Sequence, residues 1–232
     1  LKTMLCAVFT LMLVSTTGQA DSSNFAGPYV GITASGYGMQ LSGTSRTSPT
    51  PAATPIMEVD EVSIGQVAPL TGFEAGYVIP LGSMFLIDIG ASYYTGSAKL
   101  EYHHDAPANP GPTTGDLANK DVSFTIGNLT AGYFAPTLVL SDTSSLYVKV
   151  GLTEADIGVS GDVTTPANLS GTTWAMGTRT VLESGIFVRT EAGYTDYNGI
   201  SSHGRGTNVS ASNSYSAEPT IAFGSVSLGF RF

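Results

Sequence analysis

The chain has 232 residues, enough for one ordinary domain or one compact barrel and too few for two well-packed domains. Only 12% of the residues are charged, beside 28 Gly, 11 Tyr and 10 Phe; this is about half the charge of a soluble domain, too little to solvate a water-exposed surface. A formal net charge of −9 argues against nucleic acid as a partner, since phosphates would be repelled.

Residues 1–20 read as a signal peptide. Lys2 supplies a positive start, Met4 to Val14 an apolar core too short to span a bilayer, and Gly18-Gln19-Ala20 a small-x-small cleavage site, so cleavage is expected after Ala20. The single cysteine, Cys6, lies inside this segment, which leaves the mature chain with neither a disulfide framework nor a thiolate metal site. Loss of Lys2 takes the formal charge from −9 to −10. Beyond the N-terminus, Gly, Ser, Thr and Asn interrupt every hydrophobic run before it reaches about 20 residues. Membrane-spanning helices are thereby excluded, and a closed sheet is the other structure that satisfies its backbone groups within a bilayer.

Eight segments of period-two character follow, near residues 27–39, 66–79, 84–99, 121–135, 145–158, 171–182, 186–198 and 219–232. Each reaches the roughly 9 to 11 residues of a tilted transmembrane strand. The connections alternate in length. Long ones are expected near 44–62, 103–120, 161–169 and 201–218, and short ones at Pro80 to Ser83, Thr137 to Ser144 and Glu183 to Gly185. Long loops on one rim and tight turns on the other predict an all-β fold, an eight-stranded antiparallel up-and-down transmembrane β-barrel, with four extracellular loops. The first long loop is rich in Pro, Thr and Ser and turns acidic at Glu58, Asp60 and Glu61, a composition that stays hydrated.

Charges fall on one face of each strand. In strand three Phe85, Ile87, Ile89, Ala91 and Tyr93 oppose Asp88, Gly90, Ser92 and Gly96; in strand five Leu146, Val148, Val150 and Leu152 oppose Tyr147, Lys149, Gly151 and Thr153. Strand seven sets Ile186, Val188, Ala192 and Tyr194 against Arg189, Glu191, Gly193 and Thr195, and the last strand sets Val226, Leu228, Phe230 and Phe232 against Ser225, Ser227, Gly229 and Arg231. A soluble barrel would reverse this partition. Strand four breaks it, because Phe124 and Ile126 do not share a parity with Leu129, Ala131 and Tyr133; a bulge near Gly127 would reconcile them.

Seven ionisable residues are thus expected to point inward: Glu74, Asp88, Lys149, Arg179, Arg189, Glu191 and Arg231. An eight-stranded barrel is only wide enough for its side chains to fill, so these groups must neutralise one another as a salt-bridge plug.

The segment TEAGYTDYNGI at 190–200, the terminal VSLGFRF at 226–232 and the opening GPYVGITASGYG resemble strands of OmpA-like and opacity-type porin family proteins. Such proteins are similar in carrying an Arg-x-Glu on strand seven, here Arg189 and Glu191, and an inward Arg before a terminal Phe, here Arg231 and Phe232. The chain departs from the longer members of these families by ending at the terminal strand, so the expectation is the barrel domain alone, and peptidoglycan binding through a C-terminal domain is not carried over. The resemblance implies insertion by the outer-membrane assembly machinery, which in such families reads the aromatic C-terminus, here Phe230 and Phe232.

Catalytic chemistry finds no support in the spacing. No His is followed by Ser two positions on, as a lipid-directed hydrolase on this scaffold would need. His103, His104 and Asp105 in one loop and His203 in another are read as solvated groups rather than metal ligands, and Gly36-Tyr37-Gly38 precedes no helix that could cradle a phosphate. The expectation is therefore a monomeric, cofactor-free, non-enzymatic protein of the bacterial outer membrane, in contact with membrane lipid and lipopolysaccharide. Its role would be structural or one of surface interaction, through envelope integrity or adhesion to host or surface ligands by its loops; the alternative is a narrow or gated channel for small solutes.

Overall fold

The computed structural model describes residues 21–47, 58–102, 122–160, 164–166, 168–203 and 214–232. After a short 3-10 turn at Ser22–Asn24, nine strands follow in order: β1 (Gly27–Thr47), β2 (Glu58–Pro80), β3 (Phe85–Tyr102), β4 (Val122–Val139), β5 (Ser144–Ser160), β6 (Leu169–Val181), β7 (Ile186–Tyr197), β8 (Ile200–His203) and β9 (Ser214–Arg231). Each pairs antiparallel with its neighbour, and β1 pairs with β9 to close the sheet. The short strands β7 and β8 lie one after the other along β9, with Asp196 opposite Thr220 and Ile200 opposite Ala217, so they act as a single interrupted strand. The architecture is the expected closed eight-stranded antiparallel barrel.

Side chains alternate across the wall as read from the sequence. Phe73, Tyr77, Phe85, Ile89, Tyr93, Leu152, Trp174, Met176, Val226 and Leu228 face outward, while Glu74, Asp88, Lys149, Arg179, Arg189 and Glu191 are buried. The outward apolar run extends from Phe85 to Tyr93 in β3 and from Ile186 to Tyr194 in β7, close to the roughly 9 to 11 residues that a tilted strand needs to cross hydrocarbon.

Two register shifts adjust the pairing. One falls in β4 between Gly127 and Thr130, where Asn128 takes φ 48°; it brings Ile126 and Leu129 to the same, inner side. The expected bulge is there, and it also places Tyr133 inside. The other, between Tyr94 and Ser97 in β3, was not read from the sequence; Gly96 sits at its centre with φ 123°, a conformation that other residues rarely adopt.

At the long-loop end the strands run further than the periodicity indicates. β1 and β2 stay paired out to Thr47 opposite Glu58, and β8 pairs with β9 inside the expected 201–218 loop. Period-two hydrophobicity is lost there because Ser, Thr and Gly, and in β2 the acidic Glu58, Asp60 and Glu61, interrupt the apolar pattern, yet the backbone ladder continues. The expected loop at 103–120 lies outside the described residues.

Above the apolar band the barrel wall divides. Pairing of β2 with β3 stops at Thr71 opposite Thr95, and pairing of β5 with β6 stops at Ala155 opposite Leu169. Beyond those points, among the described residues, β3, β4 and β5 continue as one sheet and β2, β1, β9 and β8 as another.

If lipid bathes the outer face, Ile89→Arg, in the middle of the apolar band, lowers the free energy of reversible unfolding from phospholipid vesicles by about 2–4 kcal/mol, while Ser42→Arg, on the outer face above the band, costs about 0–1 kcal/mol.

Candidate charge network in the barrel lumen

The lumen is layered. At the short-turn end Phe25, Tyr29, Val78, Leu86, Val139 and Phe187 form an apolar floor. The buried charges lie above it, and hydroxyls above those. Thr153 and Thr195 each hydrogen-bond to Thr173 between them, at 2.6 and 2.7 Å, and Thr33 pairs with Ser227 at 2.8 Å. A second apolar layer, including Tyr37, Leu70, Leu100, Ile126, Leu129, Ile157 and Phe223, fills the lumen toward the long loops. The sequence reading expected a lumen lined, Tyr147 apart, by small, polar and charged groups. Large apolar side chains enter at both ends because the lumen, closed to lipid and water alike, must be packed solid.

Six of the seven expected residues come together. Asp88 on β3 is the hub: its Oδ2 accepts from Arg179 Nη2 at 2.6 Å and from Arg189 Nη2 at 2.5 Å, and its Oδ1 accepts from Tyr29 Oη at 2.8 Å. Arg189 Nη1 reaches across the lumen to Glu74 Oε2 at 2.8 Å and to Tyr133 Oη at 3.2 Å. Lys149 pairs with Glu191, whose other oxygen accepts from Tyr147 Oη at 2.9 Å. Arg189 therefore does not pair with Glu191, two positions away on its own strand. Its carboxylate partners are on β2 and β3, and Tyr133 is on β4, across the barrel from β7.

The seventh residue stands apart. Arg231 is only half-buried, and its Nη1 donates to the carbonyls of Ser23 and Ala26 at 3.1 and 2.9 Å, where the chain crosses the short-turn end. Expecting it in the ion-pair network was an error of height rather than of face: near the end of β9 it lies below the charged layer. Its removal leaves three carboxylates against three cations, so the buried set is electrically neutral.

Three tyrosines complete the network, and sequence reasoning had assigned none of them a role. Tyr29 and Tyr133 share a 2.6 Å hydrogen bond, and their rings, with that of Tyr147, face the cations. The Arg179 guanidinium lies 4.5 Å from the Tyr29 ring centre, Arg189 4.9 Å from Tyr147, and Lys149 4.9 Å from Tyr133. Each ring is seated over a glycine of the neighbouring strand. A Cβ at Gly76 would lie 2.5 Å from Tyr29 Oη and one at Gly90 2.5 Å from Tyr133 Oη, while one at Gly177 would collide with Tyr147. An inward Tyr with an inward Gly opposite it is the sequence signal that could have found these pairs.

The cavity between the charged and outer apolar layers, lined by Lys149, Tyr133, Thr153 and Phe223 among others, has a volume of about 20 Å³, the space of about one water molecule. Among the described residues there is no cluster of potential metal ligands. His203 is exposed on β8, and His103 and His104 lie outside the described residues. Phe230 faces outward and packs edge-to-face on Phe232 at 5.2 Å, beside the β1–β9 closure.

This geometry, an apolar exterior around a neutralised ionic lumen, defines a transmembrane barrel, and residues 7–216 match the family profile described as outer membrane protein beta-barrel domain. The chain belongs to that family. Solved structures with a similar fold include the outer membrane protein OprG from Pseudomonas aeruginosa, 10% identical with a TM-score of 0.47 over 93% of this chain and 100% of that one. Another is AlkL, solved in lipid bilayers by solid-state NMR, 15% identical with a TM-score of 0.46 over 94% and 95% of the two chains. A third is Ail, the attachment invasion locus protein of Yersinia pestis, solved with the heparin analogue sucrose octasulfate, 10% identical with a TM-score of 0.37 over 87% and 99%. No curated protein sequence matches this one.

Lys149→Met or Glu191→Leu alone strands a buried charge and lowers the unfolding free energy by about 3–5 kcal/mol; the double variant recovers most of that loss, as a double-mutant cycle in vesicles would read. Gly90→Val forces the Tyr133 ring off its seat and costs about 1–3 kcal/mol, seen as a lower unfolding midpoint on heat-modifiable gel migration.

Proposed function

We propose that this barrel serves the bacterial outer membrane as a structural or surface-interaction protein, holding its loops above the bilayer on a rigid scaffold, and that it is not a pore. The observation that carries this reading is the closed lumen. A neutral six-membered ionic layer sits between two apolar layers, and the space between the ionic and outer layers has a volume of about 20 Å³. An ion entering it would have to displace packed aromatic rings and break charge-assisted hydrogen bonds that water cannot reach. The strands add a second support: they carry the wall well beyond the apolar band, with β1 and β2 paired out to Thr47 opposite Glu58 and β8 and β9 out to His203 opposite Ser214. Loops on such a scaffold are where binding residues collect.

In this reading cleavage after Ala20 releases the mature chain, the assembly machinery recognises Phe230 and Phe232, and the partners are membrane lipid and lipopolysaccharide around the wall and surface ligands at the loops. The protein acts as a monomer without cofactor. Planar-bilayer recording of the refolded full chain is the test. The unaltered protein is expected to give no steady channels, and Asp88→Ala, which removes the hub, to give at most unstable flicker. Steady conductance from the unaltered protein, lost on charge changes at Lys149 or Arg189, would establish the narrow channel instead.

A further inference from the structure

The segment between the expected cleavage site and β1 closes the short-turn end of the barrel. Ser22 Oγ donates to the Gly82 carbonyl at 2.5 Å, on the turn between β2 and β3. Asn24 Nδ2 donates to the Asp142 carbonyl at 3.1 Å, on the turn between β4 and β5, and Arg231 from β9 binds the carbonyls of Ser23 and Ala26. Those ties press Phe25, 1% exposed, into the apolar floor against Tyr29, Val78, Leu86, Val139 and Phe187. The Asp21 side chain turns back to accept from Ser23 N at 2.9 Å, and hydrogen bonding from the Ser23 side chain, then from its backbone, lowers the carboxyl from its ordinary titration point.

One contact in this arrangement changes character on processing. The backbone nitrogen of Asp21 donates to Asp142 Oδ1 at 3.0 Å. In the uncleaved chain this nitrogen is a neutral amide with a single hydrogen. We propose that the chain is processed between Ala20 and Asp21, and that the α-ammonium so released is captured by the Asp142 carboxylate, locking the Phe25 floor onto the barrel. The step is a peptide hydrolysis by a signal peptidase with water as co-reactant. The C–N bond breaks, the oxygen of water goes to the Ala20 carbonyl to give a carboxylate, and both of its protons end on the Asp21 nitrogen. The contact then gains a full positive charge and two further donors without any movement of the chain. An α-amino group ordinarily titrates near pH 8, so it is charged at neutral pH. The opposite charge of Asp142 raises that value, and the ion pair holds until the pH rises through it.

The inference rests on cleavage after Ala20, which the first measurement tests alone. Intact mass of the protein purified from outer membranes is expected to place Asp21 at the N-terminus; any other N-terminus overturns both the cleavage reading and the latch. On protein so processed, acylation of the N-terminal amine by an amine-selective reagent at neutral pH is expected to run at least about threefold faster in Asp142→Asn than in the unaltered chain, a ratio that vanishes on unfolding. It follows from a rise of about half a pH unit or more in the amine's titration point. Chymotrypsin cleavage after Phe25 is expected to accelerate in Asp142→Asn, and likewise in chain refolded with Met before Asp21, where the nitrogen stays an amide. Asp142→Glu is expected to restore slow acylation. Equal acylation rates in the unaltered and Asp142→Asn proteins, with Asp21 confirmed as the N-terminus, would sink the latch and leave the cleavage reading standing.

Discussion

A backbone amide without a partner in hydrocarbon costs several kcal/mol, so the ladder between β1 and β9, from Tyr29 opposite Arg231 to Arg46 opposite Ser214, constrains more than topology. It joins the first and last strands and so abolishes both sheet edges within the apolar band. It also fixes the circumference at eight strands, which leaves a lumen that side chains alone must fill. The neutral ionic layer, the inward rings and the two apolar seals are consequences of that width. Charges held where water cannot reach must balance, and the space around them must be occupied.

That lumen is ordered by height. Along β5, Tyr147, Lys149, Thr153 and Ile157 succeed one another inward-facing from the floor upward, and Phe187, Arg189, Glu191, Thr195 and Tyr197 repeat the sequence on β7. Aromatic faces line the ionic layer, so cations lose their hydration against π-systems rather than against aliphatic groups, which softens the desolvation cost. Glu74 Oε1 and the Nε atoms of Arg179 and Arg189 have no partner in the network. The cost of those orphaned atoms is borne by the pairs around them.

How much of this could be read beforehand follows from what periodicity encodes. A period of two assigns a residue to a face, so Asp88, Lys149, Arg189 and Glu191 were legible as inward and Ile89 and Val226 as outward. It does not encode height above the floor or position around the circumference. For that reason Arg231 was grouped with charges that lie above it, and the partners of Arg189, Glu74 and Asp88 on the opposite wall, were not legible. Tyrosine was legible by face, with Tyr93 outward and Tyr147 inward, but not by role: nothing in the alternation tells that an inward ring lies against a cation and its hydroxyl joins the ionic layer. The shift at Asn128 announced itself as a broken parity, whereas that at Gly96 left the pattern of small and polar residues intact.

The division of the wall above Thr71 and Thr95, and again above Ala155, has a consequence for how such a chain can change. A sheet closed along its whole length ties the register of every strand to all others, so an insertion at one tip propagates around the ring. Here, among the described residues, the two outer wings share no ladder, and a residue gained or lost in the connection between β3 and β4 bears directly on pairing among β3, β4 and β5. The wings are separately paired extensions of a common hoop, and the ladders of one, like the sealed lumen below, do not depend on those of the other.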